Sequence, residues 1–362
     1  MIKPSVKKIC IVVHSLSEGG AERSSAYLSQ ILFDLGFDVH VVTVLNNIKY
    51  PYKGRLLNLG ELKDKKDSIF SRFQRLAVFK KYLKKHNFDY IIDNRTRIGF
   101  LKEFIISKWV YNPKKTIYCV RSYKTSNYIN SNVFLGRLIY KSAYKIIAVS
   151  NTISEKIKAN YNFGNINVIY NPVSENIDIK DNSRDVKERY VLFFGRLDDK
   201  IKNISLLLNS YSNSILPKNE IKLKILGDGR DKAMLKKQVN DYNLSDFVEF
   251  IGFKSNPYNV VEASFFTVLT SRYEGFPRVI IESLALGVPV VSVDCKSGPS
   301  EIVVNEYNGL LVENHNVQAL ANAMNRMVMD KDLYLQCKKN AKSSVEHLSK
   351  EAIGKQWQLL LK

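Results

Sequence analysis

Two glutamates eight residues apart lie in the segment Ser271–Glu282, which reads SRYEGFPRVIIE and leads from a strand-like stretch through a loop into a helical pattern. Glu274 belongs to the loop and Glu282 to the first turns of the helix. Gly275 permits close approach of the backbone to a ligand, and a helix N-terminus offers N–H groups to phosphate. Carboxylates at this spacing suit sugar or ribose hydroxyls, although a helix cap with one solvated glutamate would give the same pattern.

A second group of charged residues follows another strand-like run, in the segment FGRLDDKIKN that begins at Phe194. Arg196 and Lys202 lie beyond the carboxyl end of that run. This pair suits a diphosphate, because arginine bonds in a forked geometry and lysine acts as a point charge. The adjacent Asp198 and Asp199 form no DxD metal motif and are expected to cap the following helix, so we predict no metal site.

Glycine-containing loops follow three further strand-like runs. Gly227 lies in ILGDGR, Phe253 ends FIGF, and Gly19 and Gly20 lie in EGGAER, before the first helical pattern. The glycine pair can place backbone N–H groups against a phosphate. EGGAER is not GxGxxG, no suitable acidic residue ends the second strand, and the chain contains no GxxxxGK[ST] loop, so a nicotinamide site is disfavoured.

Strand-like runs alternate with helical patterns in two series, and a polar stretch at 174–188 separates them. This alternation indicates parallel βαβ units with helices on both sheet faces. The fold class is therefore α/β, with two doubly wound domains that face each other across a ligand cleft. We expect domains at 1–172 and 190–345, a linker at 173–189, and a C-terminal helix at 346–362 that packs back toward the N-terminal domain. The predicted strands are Lys8–His14, Val39–Val44, Tyr90–Asp93, Lys115–Val120, Lys145–Val149, Tyr190–Phe194, Lys222–Leu226, Val248–Ile251, Phe265–Thr270 and Val288–Val293.

The 362 residues carry 55 Lys+Arg against 35 Asp+Glu, a formal net charge of +20, and the excess is confined to one half. Residues 1–170 hold 29 basic and 11 acidic side chains, whereas residues 171–362 hold 26 and 24. This asymmetry favours an anionic partner for the first domain. An apolar fraction of 45% excludes a disordered chain. The cysteines form no CxxC pair, and we expect a reduced cytosolic protein without a signal peptide or spanning helix: Cys10, Cys119, Cys295 and Cys337.

An ordered set of motifs over nearly the whole chain resembles the retaining glycosyltransferases of family 4, which have the GT-B fold. The motifs appear in the family's order: GGAER at 19–23, VSNTISEKI at 149–157, NPV at 171–173, GRL…KN at 195–203, GDG at 227–229, EGFPRVIIESLALGVPVV at 274–291 and SGPSEIV at 297–303. The resemblance implies transfer of a sugar from a nucleotide-sugar, with retention, and with neither a metal nor another cofactor.

The resemblance also implies roles for single residues. Arg196 and Lys202 would neutralise the donor diphosphate, Glu282 would accept the ribose hydroxyls, and Glu274 would orient the transferred sugar. The remaining predicted contacts to the donor come from Gly19, Gly20, Gly227, Phe253, Gly275, Phe276 and Pro277, with Phe253 flanking the base.

Two positions depart from the family pattern. Many relatives carry a histidine after the strand that matches Lys115–Val120, whereas this chain has Arg121, which we expect to bond the sugar or phosphate in its place. The spacing from Arg196 to Lys202 is one residue longer than in many relatives, which leaves Lys200 as a weaker candidate. Further candidates are His14 at the end of the first strand, and Tyr273 and Arg278 beside the Glu274 loop.

A basic helical pattern at Ser68–Tyr90 gives the first domain a candidate membrane contact. Ile69, Phe70, Phe73, Leu76, Ala77 and Leu83 form one apolar stripe, with six Lys and Arg around it. A helix packed on the sheet and an interfacial helix at anionic lipid both fit, and both hold if the stripe packs inward while the cations face the membrane.

The sequence therefore predicts a glycosyltransferase at the cytoplasmic face of the membrane. By resemblance, it would transfer a hexose or N-acetylhexosamine from a UDP-sugar to a polyprenyl-diphosphate-linked saccharide in bacterial O-antigen, capsule or related glycan synthesis. The alternatives are a nucleotide-sugar epimerase of GT-B build and a nucleic-acid-binding protein. No recognised nucleic-acid module accompanies the positive charge, so we expect no nucleic-acid partner.

Overall fold

The chain folds into two compact units, one of Met1–Pro172 with Lys350–Lys362 and one of Val173–Ser349. The computed structural model describes residues 6–17, 19–64, 66–173 and 189–362. The interior of the predicted linker at 173–189 lies outside these ranges, as does Glu18 of the EGGAER motif.

In the part of the first unit that the structure describes, seven parallel strands lie in the order β3-β2-β1-β4-β5-β6-β7. The central strands are apolar and almost fully buried, as expected for a sheet covered on both faces. The strand order reverses between β1 and β4, so ligands are expected beyond the carboxyl ends of these two strands. The elements are β1 Lys8–Val13, α1 Gly20–Asp34, β2 Asp38–Thr43, β3 Arg55–Asn58, α2 Ile69–His86, β4 Tyr90–Asp93, α3 Phe100–Ile105, β5 Thr116–Val120, α4 Val133–Tyr140, β6 Lys145–Ala148, α5 Asn151–Tyr161 and β7 Ile166–Val168.

Residues 189–349 of the second unit form six parallel strands in the order β10-β9-β8-β11-β12-β13. Its strand order reverses between β8 and β11. The elements are β8 Tyr190–Phe194, α6 Asp199–Lys202, α7 Ile204–Ser212, β9 Lys222–Leu226, α8 Lys232–Asp241, β10 Val248–Gly252, α9 Tyr258–Glu262, β11 Thr267–Leu269, α10 Arg278–Ala285, β12 Val290–Asp294, β13 Gly309–Glu313, α11 Val317–Met329 and α12 Lys331–Ser344.

The last helix, α13 (Lys350–Leu360), belongs to the first unit and packs on α1. The Lys350 ammonium lies 2.9 Å from the Asp34 carboxylate, and the Tyr144 hydroxyl donates to the Leu360 carbonyl at 3.1 Å. Trp357 is only 4% exposed. The chain therefore leaves the first unit after residue 172 and returns to it for its last thirteen residues.

The α/β class and the two parallel sheets are confirmed, and each of the ten predicted strands has a counterpart. Three further strands, β3, β7 and β13, were not predicted. Each lies at the edge of its sheet. Edge strands are solvated on one side and so lack the continuous apolar run that marks a central strand.

The apolar stripe that the sequence places on helix α2 is only partly buried. Ile69, Phe70 and Phe73 are 72%, 80% and 60% exposed, whereas Arg75 and Leu83 are both 8% exposed. The residues that face the protein recur every four positions: Ser71, Arg75, Phe79 and Leu83. The alternative in which the whole stripe packs inward is therefore wrong for the first two turns of the helix. The inward position of Arg75 is stabilised by an ion pair with Asp67 and a hydrogen bond to the Ser71 carbonyl.

Within the described residues, none of the helices combines the length and the apolar character that crossing a membrane requires.

Candidate active site

In the second unit, the loops that follow β8, β9 and β10 are hydrogen-bonded to one another at the carboxyl edge of the sheet. The Gly195 N–H donates to the Leu226 carbonyl, and the Gly227 N–H donates to the Gly252 carbonyl, both at 2.9 Å. The loop after β8 is thus held beside the loop after β9, and that loop beside the end of β10.

Gly227 is required by the close approach of two of these loops. Its φ is 147°, and a Cβ atom at this position would lie 1.8 Å from the Gly195 carbonyl oxygen. Any side chain would therefore push the β8 loop away from the β9 loop. This packing explains the glycine without assigning it a ligand.

Lys202 and Glu274 meet where the strand order reverses, one after β8 and the other after β11. The Lys202 ammonium lies 2.6 Å from Glu274 Oε1, and the side chains are 19% and 14% exposed. The Ser271 hydroxyl donates to the same oxygen at 2.6 Å. The Thr270 hydroxyl donates to the Lys202 carbonyl at 2.9 Å, which fixes the end of α6 to the β11 loop. The structure thus brings a predicted cation and a predicted carboxylate into direct contact.

Glu282 lies on the first turns of α10 and is 3% exposed. Arg278, one turn earlier, donates to Glu282 Oε1 at 2.9 Å. The carboxylate is therefore buried beside a cation of its own helix.

The Gly275–Pro277 segment that connects the two glutamates is buried against the loop after β12. The Ser297 hydroxyl donates to the Gly275 carbonyl at 2.7 Å. A Cβ atom on Gly298 would lie 2.4 Å from Pro277 Cδ, so Gly298 allows the two loops to touch. The positive φ values are 74° at Ser297 and 105° at Gly298, on the supporting loop.

The other candidates of the second unit are more exposed. Arg196 and Lys200 lie at the surface, and Phe253 is 68% exposed beyond β10. Lys200 is not drawn into the Glu274 contact, which Lys202 makes. Tyr273 is half-buried beside that contact.

The two aspartates after Arg196 have structural partners. Asp199 accepts from the Ser205 N–H and hydroxyl at 2.8 and 2.9 Å, in the first turn of α7, whereas Asp198, at the start of α6, makes no capping bond with its side chain. Asp198 pairs with Arg230 at 2.8 Å. Across the described ranges, no three side chains of His, Cys, Asp or Glu form a group that could hold a metal ion.

In the first unit, Gly19 immediately precedes α1, with φ at 113°, and Gly20 is the first residue of the helix. Their backbone thus lies beside β1 at the carboxyl edge of the sheet. His14 follows β1, and its Nε2 lies 2.9 Å from the Thr96 hydroxyl. Burial and the nearby Arg95 cation lower the pKa of His14.

Arg121, after β5, is held by two side-chain amides. Its Nε and Nη2 donate to Asn94 Oδ1 at 3.2 and 3.1 Å, and its Nη1 donates to Asn171 Oδ1 at 2.9 Å. Arg121 also lines a small internal cavity, which Trp357 borders. The guanidinium is thus anchored by neutral oxygens.

The four residues 94–97 that follow β4, which read NRTR, were not among the predicted site residues. Asn94 contacts Arg121, and Thr96 contacts His14, so this loop supports both candidate side chains of the first unit. The signal was present, because four polar or charged residues directly follow a buried strand next to the reversal of strand order.

Comparisons with known proteins place the chain in a family. The model for Glycosyltransferase Family 4 matches residues 18–176, and the model for Glycosyl transferases group 1 matches residues 174–344. Over 97% of its length, the chain is 31% identical to the N-acetylgalactosamine-N,N'-diacetylbacillosaminyl-diphospho-undecaprenol 4-alpha-N-acetylgalactosaminyltransferase of Campylobacter jejuni, covering 98% of that protein. The chain belongs to glycosyltransferase family 4. It is a glycosyltransferase, as predicted.

Other similar proteins agree with this family. The amylovoran biosynthesis glycosyltransferase AmsD of Erwinia amylovora is 26% identical, with 98% of this chain and 99% of that protein covered. Among solved structures, Anabaena HepE in complex with UDP and glucose has a TM-score of 0.79 at 21% identity, covering 98% of this chain and 99% of that one. Staphylococcus aureus TarM has a TM-score of 0.80 at 18% identity, with 99% of both chains covered. The GT-B fold is confirmed.

Proposed function

We propose that this glycosyltransferase transfers a hexose or N-acetylhexosamine from a UDP-sugar, with retention, to a polyprenyl-diphosphate-linked saccharide. The observation that carries the proposal is the Lys202–Glu274 contact at the reversal of strand order, with Glu282 buried a few residues away. The name of the Campylobacter jejuni relative includes a diphospho-undecaprenol, which supports a lipid-linked acceptor. HepE was solved with UDP, which supports a uridine donor. The product would belong to an O-antigen, a capsule or a related bacterial glycan.

The leaving diphosphate would be stabilised by cations of the chain. When the bond from the sugar to the diphosphate breaks, negative charge develops on the diphosphate. Lys202 is held in place by Glu274, and Arg196, six residues earlier in the sequence, is exposed. The two cations would stabilise that charge without a large rearrangement. We therefore propose that the reaction needs no metal ion or other cofactor.

The two carboxylates would bind different parts of the donor. Glu274 would accept hydrogen bonds from the transferred sugar, and Glu282, held by Arg278, would accept the ribose hydroxyls. Gly227, Gly275, Phe276 and Pro277 would bring backbone toward the donor, and Phe253 would flank the base.

In the first unit, Gly19 and Gly20 would offer backbone to the diphosphate, and Arg121 would bond the sugar or a phosphate oxygen. Arg121 suits this role because its anchors, Asn94 and Asn171, are neutral amides that leave its positive charge uncompensated by their contact. The acceptor hydroxyl would attack from the face of the leaving group, which preserves the anomeric configuration.

We further propose that the enzyme acts at the inner face of the cytoplasmic membrane, which it reaches through α2, α3 and α4. Phe70 and Phe73 of α2, Leu101 of α3 and Phe134 of α4 are between 60% and 80% exposed, as is Trp109 of the adjoining turn. A soluble surface rarely exposes so many large apolar side chains on neighbouring elements.

The charges on the same elements complement an anionic surface. The exposed cations are Arg72, Lys81, Lys84, Lys85, Lys102, Lys108 and Arg137. The acidic residue of these elements, Glu103, is 2% exposed and contacts Arg95. Each basic residue near an anionic lipid surface adds about 1 kcal/mol to binding, while the aromatic side chains insert at the interface.

Nucleotide release from UDP- and GDP-sugars, measured with chelator present and with or without a membrane extract, tests the reaction. We expect release from one UDP-sugar, undiminished by chelator, and loss of release in Glu274→Gln. Interconversion of free UDP-sugars without transfer would indicate an epimerase instead. Absence of turnover with every sugar, even with the extract, would overturn the proposal.

Sedimentation with anionic liposomes at low salt tests the membrane contact. We expect the wild type to sediment, and Phe70→Ser/Phe73→Ser and Lys81→Glu/Lys84→Glu to stay in solution. Lys338→Glu/Lys339→Glu, which makes the same charge change at exposed positions of α12, is the matched control and should sediment. Equal sedimentation of all variants would contradict the assigned surface.

A further inference from the structure

The loop of residues 93–97 is anchored in the core by alternate side chains. Arg95 makes two hydrogen bonds to the Asp93 carboxylate, at 3.0 and 2.7 Å, and a third to Glu103 at 3.2 Å. Arg97 is 3% exposed and donates to four main-chain carbonyls, those of Asp93, Arg95, Cys119 and Tyr128. A loop fixed this firmly can hold the side chains between these anchors in one orientation.

Asn94 is one of those intervening residues, and only the oxygen of its side-chain amide has a hydrogen-bond partner among the described residues. Its oxygen accepts two hydrogen bonds from Arg121, and the side chain is 6% exposed. Its Nδ2 has no hydrogen-bond partner among the described residues. A buried donor left without a partner destabilises the folded protein, so retaining one in this position calls for a compensating contact.

The position of Asn94 indicates what that contact is. Asn94 directly follows β4, next to β1 at the reversal of strand order in the first unit, where doubly wound folds bind their ligands. Arg121 and His14 face the same loop. An amide N–H beside a guanidinium suits an oxygen acceptor, such as a sugar hydroxyl.

We infer that Asn94 is a substrate-binding residue with two functions. Its oxygen fixes Arg121, and its Nδ2 donates to a sugar oxygen of the substrate. This inference rests on the proposed function, because the sugar is that of the donor or of the saccharide acceptor.

Asn94→Asp separates the two functions, because aspartate keeps an oxygen for Arg121 but loses the N–H donor. Asn171→Asp is the matched control: it places the same new carboxylate against the same guanidinium and leaves the Asn94 donor intact. We expect Asn94→Asp to lower kcat/KM at least tenfold more than Asn171→Asp, with both variants folded by circular dichroism. Equal losses would mean that the effect passes through the charge of Arg121, and would overturn the inference, as would an unchanged Asn94→Asp.

Two reactions show whether the sugar oxygen that Asn94 bonds belongs to the donor or to the acceptor. If Asn94 bonds the donor sugar, Asn94→Asp slows both donor hydrolysis without acceptor and transfer to acceptor. If it bonds the acceptor, hydrolysis keeps its wild-type rate, and the KM for acceptor rises in transfer.

A binding measurement keeps the inference testable even if no transfer is detected. With 15N-asparagine labelling, the Asn94 side-chain NH2 signals are identified by their absence from Asn94→Asp. Addition of UDP-glucose, UDP-galactose, their N-acetylamino counterparts or a synthetic saccharide-diphospho-lipid should shift these signals. If no probe shifts them, Nδ2 bonds water only and the inference is wrong, whatever the wild type transfers.

Discussion

The two glutamates of the second unit are each held by a cation, but the origin of the cation differs. Lys202 reaches Glu274 from the loop after another strand, so this pair links β8 to β11. Arg278 reaches Glu282 from the same helix, one turn away. The first pair therefore connects two loops, whereas the second lies within α10.

This difference predicts different kinetic effects. Glu274→Gln removes the charged partner of Lys202 and the proposed sugar contact, and should lower kcat about 10–100-fold, because a hydrogen bond to a charged group contributes about 1.5–3 kcal/mol. Glu282→Ala should instead weaken UDP binding by about the same factor. Steady-state kinetics and calorimetric titration with UDP measure the two effects.

Glu249→Gln is the control for these substitutions, because its side chain is 51% exposed on β10 and pairs with Lys224. It should leave kcat and UDP affinity unchanged. If Glu274→Gln and Glu282→Ala behave like this control, the two carboxylates do not contact the donor.

At the scale of residues, the sequence predicts where a side chain lies along the fold better than which side chain it contacts. Glu274 and Lys202 could both be placed at strand ends, since the strands before them are apolar runs. Their direct contact could not be predicted, because it depends on β8 lying next to β11. Asn94 was missed for the same reason, since its unpaired Nδ2 becomes visible only when its neighbours in space are known.

At the scale of elements, helix α2 shows where pattern reasoning fails. Its apolar residues cover two sides, and periodicity alone cannot tell which side packs on the sheet. The end of the helix is fixed by a cluster of rings instead. His40 of β2 is fully buried, with its ring centroid 4.7 Å from that of His86 and 4.8 Å from that of Phe88.

This cluster predicts that the first unit loses stability in mild acid. Burial lowers the pKa of His40, although Asp38 opposes the shift, and burial with nearby cations lowers the pKa of His86. The unfolded chain therefore binds protons first, and the stabilisation present above the ordinary histidine pKa, about 6.5, is lost as pH falls through that value. The temperature midpoint of unfolding should therefore decrease as the pH is lowered from 7 to 5.5.

The comparison that isolates the cluster is His40→Gln/His86→Gln, whose amides stay neutral. The double variant should show a weaker dependence of the unfolding midpoint on pH over this interval. His315→Gln, in the second unit, should retain the full dependence. An unaltered pH dependence in the double variant would show that other groups cause the acid effect.

At the scale of the whole molecule, the two doubly wound domains and the basic first half follow from alternating patterns and from counting charges. A C-terminal helix that packs back toward the first domain was also predicted, but the contacts that hold it there were not. Helix α13 is separated from its partner α1 by more than 300 residues, and the motifs between them do not show which residues of the two helices meet in space. Its place is fixed by contacts such as the burial of Trp357, which are properties of the folded unit.

Trp357→Ala should therefore destabilise the first unit by about 3–5 kcal/mol, the usual cost of removing a large buried aromatic side chain. Leu359→Ala, on the same helix but at a residue 65% exposed, is the matched control and should cost little. Denaturant unfolding of both variants measures the difference. A comparable loss in both would mean that α13 contributes through its backbone alone.

The return of the chain to the first unit restricts how such enzymes can exchange parts in evolution. A single crossover after residue 172 would join one parent's first sheet to another parent's α13, and residues such as Asp34 would meet a foreign partner at position 350. Two crossovers, near 172 and near 349, would instead transplant the second unit whole. Active recombinants of two such genes should therefore carry a pair of junctions, one near residue 172 and one near residue 349. Libraries of chimaeras should place their junctions at the same two positions.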